Sequence, residues 1–533
     1  MNFKAHYFSY RQTGAFSKII IDYIEGNATL RPFYNYTPDI EGIQKAVDAR
    51  NTTSVNREVL VQQLQKQYKG ITASKQVLEN ISSLLNSNTY TVCTAHQPNI
   101  FTGHLYFIYK IMHVIKLADA LNENKESMHF VPVFYMGSED ADLAELGEIT
   151  INGKKYKWNT NQKGAVGRMK VDRNFVELID EISGQISIDK FGNEIINILK
   201  KCYIPGRSIE QATLLLLNEL FGSYGLVVLL PDNQALKKLF IPVMEKELTK
   251  QFSHAVISKT IADFPKEYNV QAVGRPLNLF YLKDDIRERI EASDTGFVVA
   301  NTNLAFSQTE MMDELHTNPD RFSPNVILRP IYQEMILPNI AFIGGGGELA
   351  YWLELKKVFE SVHISLPVLI LRNSFMVVNK KVADAIIALN FTPMDFFNDE
   401  ESLISQLIEK GSGKSIHLDK ERVALAAIYD KISSLASAVD STLQKHIAAL
   451  STHALHKVML AEKKMKRAEK KKYEAQIRHI KKIKAVLFSG GILQERVDNL
   501  LPGYAIWGMD FLNAIYTSSL VLNNQFCILE EGI

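Results

Sequence analysis

Tyr90-Thr-Val-Cys-Thr-Ala-His-Gln-Pro-Asn-Ile-Phe-Thr-Gly-His-Leu-Tyr-Phe-Ile-Tyr-Lys110 carries three patterns in succession. Its first part is a short β-branched run, which reads as a buried strand. His96, Gln97, Pro98 and Asn99 then break the pattern. Thr102-Gly103 open an apolar segment with helical spacing at Leu105, Ile108, Ile111, Met112 and Ile115. Strand, polar turn and helix in that order form the usual nucleotide-site geometry, because N–H groups at a helix start point at an anion on the turn. A plain loop between two core elements would show the same pattern.

Downstream, His129-Phe-Val-Pro-Val-Phe-Tyr-Met136 is a continuous apolar run, typical of a strand buried on both faces. Two such strands flanking one helix make a βαβ unit, which implies a parallel sheet with a right-handed crossover. Leu226–Leu230, Phe297–Asn301, Asn339–Ile343 and Val368–Leu371 are further strand candidates, and Gly344-Gly-Gly-Gly-Glu348 gives a second strand–glycine–helix passage. Ile149–Val171 reads as short alternating strands with Asn-Gly and Lys-Gly turns, an insertion. Residues 1–89 read as a loop-like start followed by helices near Ile40–Val47 and Val55–Tyr68.

A chain of 533 residues is long for one core. It contains no apolar run long enough to span a bilayer, and its N-terminus lacks the apolar core of a signal peptide. Cys93, Cys202 and Cys527 are far apart with no Cys-x-x-Cys, which argues against a disulfide framework or structural metal and leads us to expect the cytoplasm. The net charge of +1 hides an asymmetry: residues 421–486 hold fifteen Lys/Arg against six Asp/Glu. The body is therefore acidic and not expected to bind nucleic acid.

Ser415–Ser489 contains no glycine or proline, and its apolar residues follow a heptad pattern with a break. Uninterrupted, this stretch would reach roughly 110 Å, so a hairpin is expected, with its turn near Ser451-Thr452 to give equal arms. The lysine-rich run Lys463–Lys472 lacks interleaved aromatics and reads as a solvated face. His446, His453 and His456 have no carboxylate or cysteine at ligand spacing. Gly411-Ser-Gly-Lys-Ser415 fails as a phosphate loop, because Ile408 stands where glycine is required and no strand precedes it.

Three constellations remain. The His96–Asn99 turn matches, in its histidine and its place after a strand, the His-x-Gly-His turn of class I aminoacyl-tRNA synthetases, whose histidines meet ATP phosphates. Glu139, Asp140, Asp142 and Glu145 cluster beyond a strand end, where they can bind an ammonium group, hold Mg²⁺, act as base or cap a helix. Gly344–Gly347 allows backbone to approach an anion, with Glu348 behind it.

Together, Thr102-Gly-His-Leu-Tyr-Phe-Ile-Tyr-Lys110, Glu139-Asp-Ala-Asp-Leu-Ala-Glu145, Ser323-Pro-Asn-Val-Ile-Leu-Arg-Pro330 with Gln333, Gly344–Trp352, and Leu493-Gln-Glu-Arg496 with Asn499 resemble the cysteine ligases of bacillithiol biosynthesis, the BshC family. The resemblance implies an α/β fold: a Rossmann-like parallel-sheet core with connecting-peptide insertions, plus a long antiparallel α-helical coiled coil used for homodimerisation. The expected boundaries are 1–415 for the core, with insertions at roughly 150–225 and 255–320, 416–489 for the coiled coil, and 490–533 for a tail packing back on the core. It further implies a ligase that attaches cysteine to the amine of glucosaminyl malate, with an ATP or ADP site away from the His turn.

On that reading His96, Gln97, Asn99, Glu139, Asp140 and Asp142 are the candidate catalytic residues. His96 and Asn99 would stabilise phosphate or oxyanion, and the carboxylates would hold the amines or act as base. Thr102, Gly103, Tyr106, Lys110, Arg168, Arg329, Gly345 and Glu348 are candidates for substrate binding, the arginines for the malate carboxylates. Arg372, Lys380 and Tyr504 are candidates for the nucleotide by charge and position. The rival readings are an adenylate-forming enzyme acting on another amine, and a non-catalytic coiled-coil or RNA-binding relative.

Overall fold

In the computed structural model, which describes residues 2–53, 55–123, 127–272, 274–412 and 417–532, Thr89–His96 becomes the middle strand of a five-stranded parallel sheet. The order across the sheet is Val368–Leu371, Asn339–Gly344, Thr89–His96, His129–Met136, Val227–Leu229. The chain winds outward on one side through His129 and Val227, then returns to the other side with Asn339 and Val368. Winding therefore reverses between the middle strand and Asn339–Gly344, and a crevice opens at their carboxyl ends. Every residue from Thr89 to Ala95 is buried, because helices cover both faces of the sheet.

Leu105–Glu123 forms the crossover helix, and its Val114, Leu117 and Leu121 join Val92, Ile340 and Ile370 in one core cluster. Between strand and helix, Phe101, Thr102 and Gly103 all have positive φ (49°, 70° and 64°). For a β-branched residue such as Thr102 this is strained backbone. Asn499 clamps it, its amide Nδ2 donating to the carbonyls of both Phe101 (2.9 Å) and Gly103. At Gly103, with ψ at −136°, a Cβ would also sit 2.8 Å from that of Asn99. Gly103→Ala is expected to lower stability by about 1–3 kcal/mol. Urea unfolding should show this as a lower midpoint at unchanged slope, and an unmoved midpoint would contradict it.

Several expectations change. The start is not a loop: Phe3–Ser9 is a strand pairing antiparallel with Gln525–Glu531, which also neighbours Ser374–Val378. Its partner lies at the far end of the chain, so local pattern could not reveal it. Gly296–Val299 is a strand, but not of the parallel sheet. It belongs to an antiparallel sheet ordered Ala305–Phe306, Gly296–Val299, Ile286–Ser293, Leu279–Lys283, Phe322–Pro324. Tight turns link most of these strands, and short links permit only antiparallel pairing. Glu148–Ile151 and Lys154–Lys157 form the Asn-Gly hairpin, but a single 3-10 turn at Val166–Arg168 follows the Lys-Gly turn instead of further strands.

The described residues divide into two compact units, Met1–Val377 with Ile492–Ile533, and Val378–Gly491. In the second, helices Asp419–Val439 and Leu443–Lys472 lie antiparallel, with His417 beside Glu462 and Lys466. The reversal falls at Asp440–Thr442, where the Asp440 carboxylate accepts from the Thr442 N–H and hydroxyl, both at 2.8 Å. Ser451-Thr452 lies inside an unbroken helix. Equal arms misplaced the turn because a third helix, Glu474–Leu487, leaves the hairpin and packs on Lys380–Ala388 and Glu400–Ser412. Most of the Gly-Ser-Gly-Lys-Ser stretch, from Gly413 to Ser415, lies outside the described residues. No described helix is long and apolar enough to cross a membrane.

Candidate active site

All five parallel strands end at one cavity of about 360 Å³. His96 and Gln97 enter it from the middle strand, Gly137–Asp140 from the second, Pro231 from beyond the third, Gly345–Glu348 from the fourth and Arg372 from the fifth. The crossover helix adds Tyr106 and Lys110. The sheet topology thus converts five distant sequence segments into one wall.

His96 is neutral here. Burial, and then the charge of Lys110, hold its imidazole down to about 3. Nδ1 lies 3.1 Å from the Gln97 carbonyl, which can only accept, so Nδ1 carries the proton. Nε2 then accepts from the Tyr106 hydroxyl at 3.3 Å. Burial pushes Tyr106 up to about 12, so the hydroxyl keeps its proton.

Lys110 is 2% exposed, donates to the Ala95 carbonyl at 3.1 Å and forms an ion pair with Glu348. Burial lowers the ammonium, and Glu348 opposes that. Burial works to raise the Glu348 carboxyl, but Lys110 and the Gly345 N–H (2.8 Å) outweigh it and hold it below its ordinary value. Glu348, at the start of helix Gly346–Glu354, also reaches back to the N–H of the N-cap residue Gly345, so one side chain fixes the glycine turn and a charge in the cavity.

The acidic cluster separates into three roles. Glu139 is ion-paired with the buried Lys237 and accepts from the Ser323 hydroxyl at 2.8 Å. Asp140 accepts from the Gln97 amide at 3.1 Å and lies 3.9 Å from Arg287, with its carboxylate about one-third exposed. Asp142 caps the short helix Leu143–Leu146.

Arg329 stacks over Tyr135 and reaches only neutral oxygens, Gln333 Oε1 at 3.1 Å and the Tyr351 hydroxyl at 3.4 Å. Arg496 also lines the cavity, and among the described residues neither arginine has a carboxylate within ion-pair distance. Arg372 differs, being locked to the buried Glu495 by two charge-assisted bonds of 2.6 and 3.0 Å.

Of the residues expected from the sequence, the cavity brings together His96, Gln97, Glu139, Asp140, Tyr106, Lys110, Arg329, Gly345, Glu348 and Arg372. It leaves out Asn99, buried beneath Gly103, and Thr102 and Gly103, which shape the turn. Arg168 is bound bidentately to Asp232 at 2.6 and 2.8 Å. Tyr504 donates to Glu194 at 2.7 Å, and Lys380 starts a helix of the second unit. Ser323, Arg287, Tyr351 and Arg496 line the wall without having been singled out as site residues. Arg287 had one usable signal, the Arg-Glu-Arg alternation at 287–289, which puts two arginines on one face of a strand.

Beside the cavity, His113 is fully buried and held down to about 4 by burial. It receives the Asn373 N–H at Nδ1 (3.1 Å) and contacts the Val521 carbonyl through Nε2 (2.9 Å). Between pH 6.5 and 4 the unfolded chain binds the extra proton and the folded one does not, so stability falls as pH drops through that window. His96 adds to the same trend. Urea midpoints measured from pH 7 to 4 should decline, and His113→Gln should make the decline shallower. An equally steep decline in the variant would rule out His113 as a source.

Comparison with known proteins agrees with this geometry. The family model for the N-terminal Rossmann-like domain of bacillithiol biosynthesis BshC matches residues 3–373, and that for its C-terminal coiled-coil domain matches residues 375–531. A Flavobacterium johnsoniae protein named "Putative cysteine ligase BshC" is 37% identical over 523 residues, covering 98% of both chains. Proteins of the same name from Cytophaga hutchinsonii and Bacillus cereus are 36% and 26% identical, over 97% and 93% of this chain and 97% and 95% of their own.

Proposed function

The chain belongs to the BshC family of bacillithiol biosynthesis, and on that premise we propose that it joins the carboxyl of cysteine to the amine of glucosaminyl malate. The observation that carries the reading is the polarity of the cavity. Asp140 presents a carboxylate at one side, while Arg329 and Arg496 present guanidinium groups that have no carboxylate partner among the described residues. Such a pocket suits a substrate pair that carries both amines and carboxylates.

Amide formation needs an activated carboxyl and an unprotonated amine beside a base. In our reading Asp140 holds the acceptor amine and takes its proton as the nitrogen attacks the carbonyl carbon of the cysteinyl adenylate, and the acyl C–O bond breaks to release AMP. Glu139 is less suited, because Lys237 and Ser323 already engage both its oxygens. Lys110 and Arg329 stabilise the oxyanion, since the neutral His96 contributes no charge. His96 instead orients Tyr106, whose hydroxyl oxygen faces the cavity. Activation as an acyl-adenylate at the expense of ATP is part of the proposal, supported by the strand–turn–helix at His96–Leu105. So are a cytoplasmic location, for which three unpaired buried cysteines speak, and a homodimer through the coiled coil.

Purified protein supplied with cysteine, glucosaminyl malate and ATP should release the cysteinyl amide and consume nucleotide stoichiometrically. Product formed from another activated donor without ATP consumption would discard the adenylate step. A deletion strain that keeps its bacillithiol and accumulates no glucosaminyl malate would discard the ligase reading.

A further inference from the structure

The antiparallel insertion sheet carries arginines that the ligation chemistry leaves unused. Arg287 and Arg289 alternate on Ile286–Ser293 and so share one face, with about 6.6 Å between them along the strand. Phe280 on the neighbouring strand lies directly opposite Arg289, and the Arg287 guanidinium stacks on its ring at 4.0 Å. Glu288, between them, points to the other face and accepts from Asn301 at 3.0 Å. With Arg275 these residues wall a second cavity of about 290 Å³, which adjoins the first through Asp140, Arg287 and Asn325.

The charge of this second cavity is unbalanced. Three guanidinium groups face one carboxylate, Asp140, whose nearest approach to Arg287 is 3.9 Å. Among the described residues neither Arg275 nor Arg289 has a carboxylate within ion-pair distance, and Arg287 Nε is buried without a hydrogen-bond acceptor. The polar neighbours are already saturated: Asn325 donates to Asn278 at 2.7 Å, and Asn278 in turn contacts the buried Glu247. Unfilled arginine forks are matched to carboxylate or phosphate oxygens.

Resting on the proposed ligase reading, we infer that the Arg275–Arg287–Arg289 cavity is a dianion subsite that receives the malate arm of the acceptor while Asp140, at the neck, holds its amine. A glucosaminyl glycoside carries its amine on the carbon next to the glycosidic one. An amine at Asp140 therefore delivers the glycosidic diacid into the adjoining cavity. Two carboxylates on a four-carbon diacid suit two forks on alternate residues of one strand.

The test compares wild-type protein with Arg275→Gln/Arg289→Gln and with the charge-preserving Arg289→Lys. Calorimetric titration with L-malate should give a Kd weakened at least about tenfold in the double variant and less in Arg289→Lys. Titration with pyrophosphate should weaken by a smaller factor than titration with L-malate. In turnover, KM for glucosaminyl malate should rise by a similar factor, with kcat and KM for cysteine held. Equal malate affinity in wild type and double variant would overturn the subsite, as would loss of pyrophosphate binding alone, which would mark a phosphate site. If no amide forms but malate binding still falls in the variant, the subsite stands and the ligase reading fails. If amide forms with an unmoved acceptor KM, the reverse holds.

Discussion

Lys110→Met is expected to lower the stability of the first unit by about 3–5 kcal/mol, toward the lower end because solvent reaches Glu348, and to abolish activity. Methionine fills the same volume, so the change isolates the charge. Lys110 is 2% exposed on a helix whose neighbouring residues are also buried, and among the described residues its ammonium meets only the Ala95 carbonyl and Glu348. Without it the Glu348 carboxylate keeps, among the described residues, only the Gly345 N–H. Stripping one member from a buried pair is far worse than removing both, because the survivor stays desolvated and unneutralised. Lys110→Met/Glu348→Gln should therefore recover a large part of the loss, with a coupling energy of about 1–3 kcal/mol in a double-mutant cycle. Trp158, Trp352 and Trp507 all lie in the first unit, so tryptophan fluorescence in urea reports on that unit. A single variant within about 1 kcal/mol of wild type would mean that the pair is as replaceable as a surface salt bridge.

Lys110 also shows what a sequence can and cannot disclose. The β-branched run before His96 and the apolar run at His129 announced a parallel sheet, because burial on both faces erases alternation. That is enough to place a crevice at the carboxyl ends. The strand pairing Phe3–Ser9 with Gln525–Glu531 stayed hidden, since its stabilisation comes from a partner at the other end of the chain. The hairpin turn was misplaced for a related reason. Heptads mark where apolar residues fall, whereas the reversal is set by the Asp440 carboxylate accepting from both the N–H and the hydroxyl of Thr442, a local polar contact.

Within the site, spacing identified which residue types converge but not which already had partners. Glu139, Asp140 and Asp142 look alike in sequence. Lys237, Gln97 and the Glu145 N–H make them an ion-paired residue, an available carboxylate and a helix cap. Arg168 and Arg329 look equally suited to a substrate carboxylate. Asp232, contributed from beyond a third strand, engages the first and leaves the second. Partner assignment is a property of topology, and for this chain it decides which of the candidate groups have free chemistry.

That distinction gives the second large effect: Asp140→Asn should slow amide formation by about 10²–10⁴-fold while leaving the urea midpoint close to wild type. The asparagine is isosteric, and its side-chain oxygen can still accept from Gln97, so packing and register survive. What it lacks is the charge that steadies an ammonium and the basicity that removes its proton. Glu139→Gln should behave in the opposite way, costing mainly stability, because it removes the nearer carboxylate of the 1% exposed Lys237 and leaves only the more distant Asp232 at 3.9 Å among the described residues. The pair of variants therefore separates chemistry from scaffolding within two adjacent residues. Steady-state kinetics sharpens the reading further. If Asp140 acts chiefly as base, kcat falls with KM for the acceptor nearly fixed; if it chiefly holds the ammonium, KM rises as well. Asp140→Asn with kcat/KM within threefold of wild type would remove Asp140 from the reaction, and the proton would then have to leave through a group other than the most exposed of the described carboxylates lining the cavity.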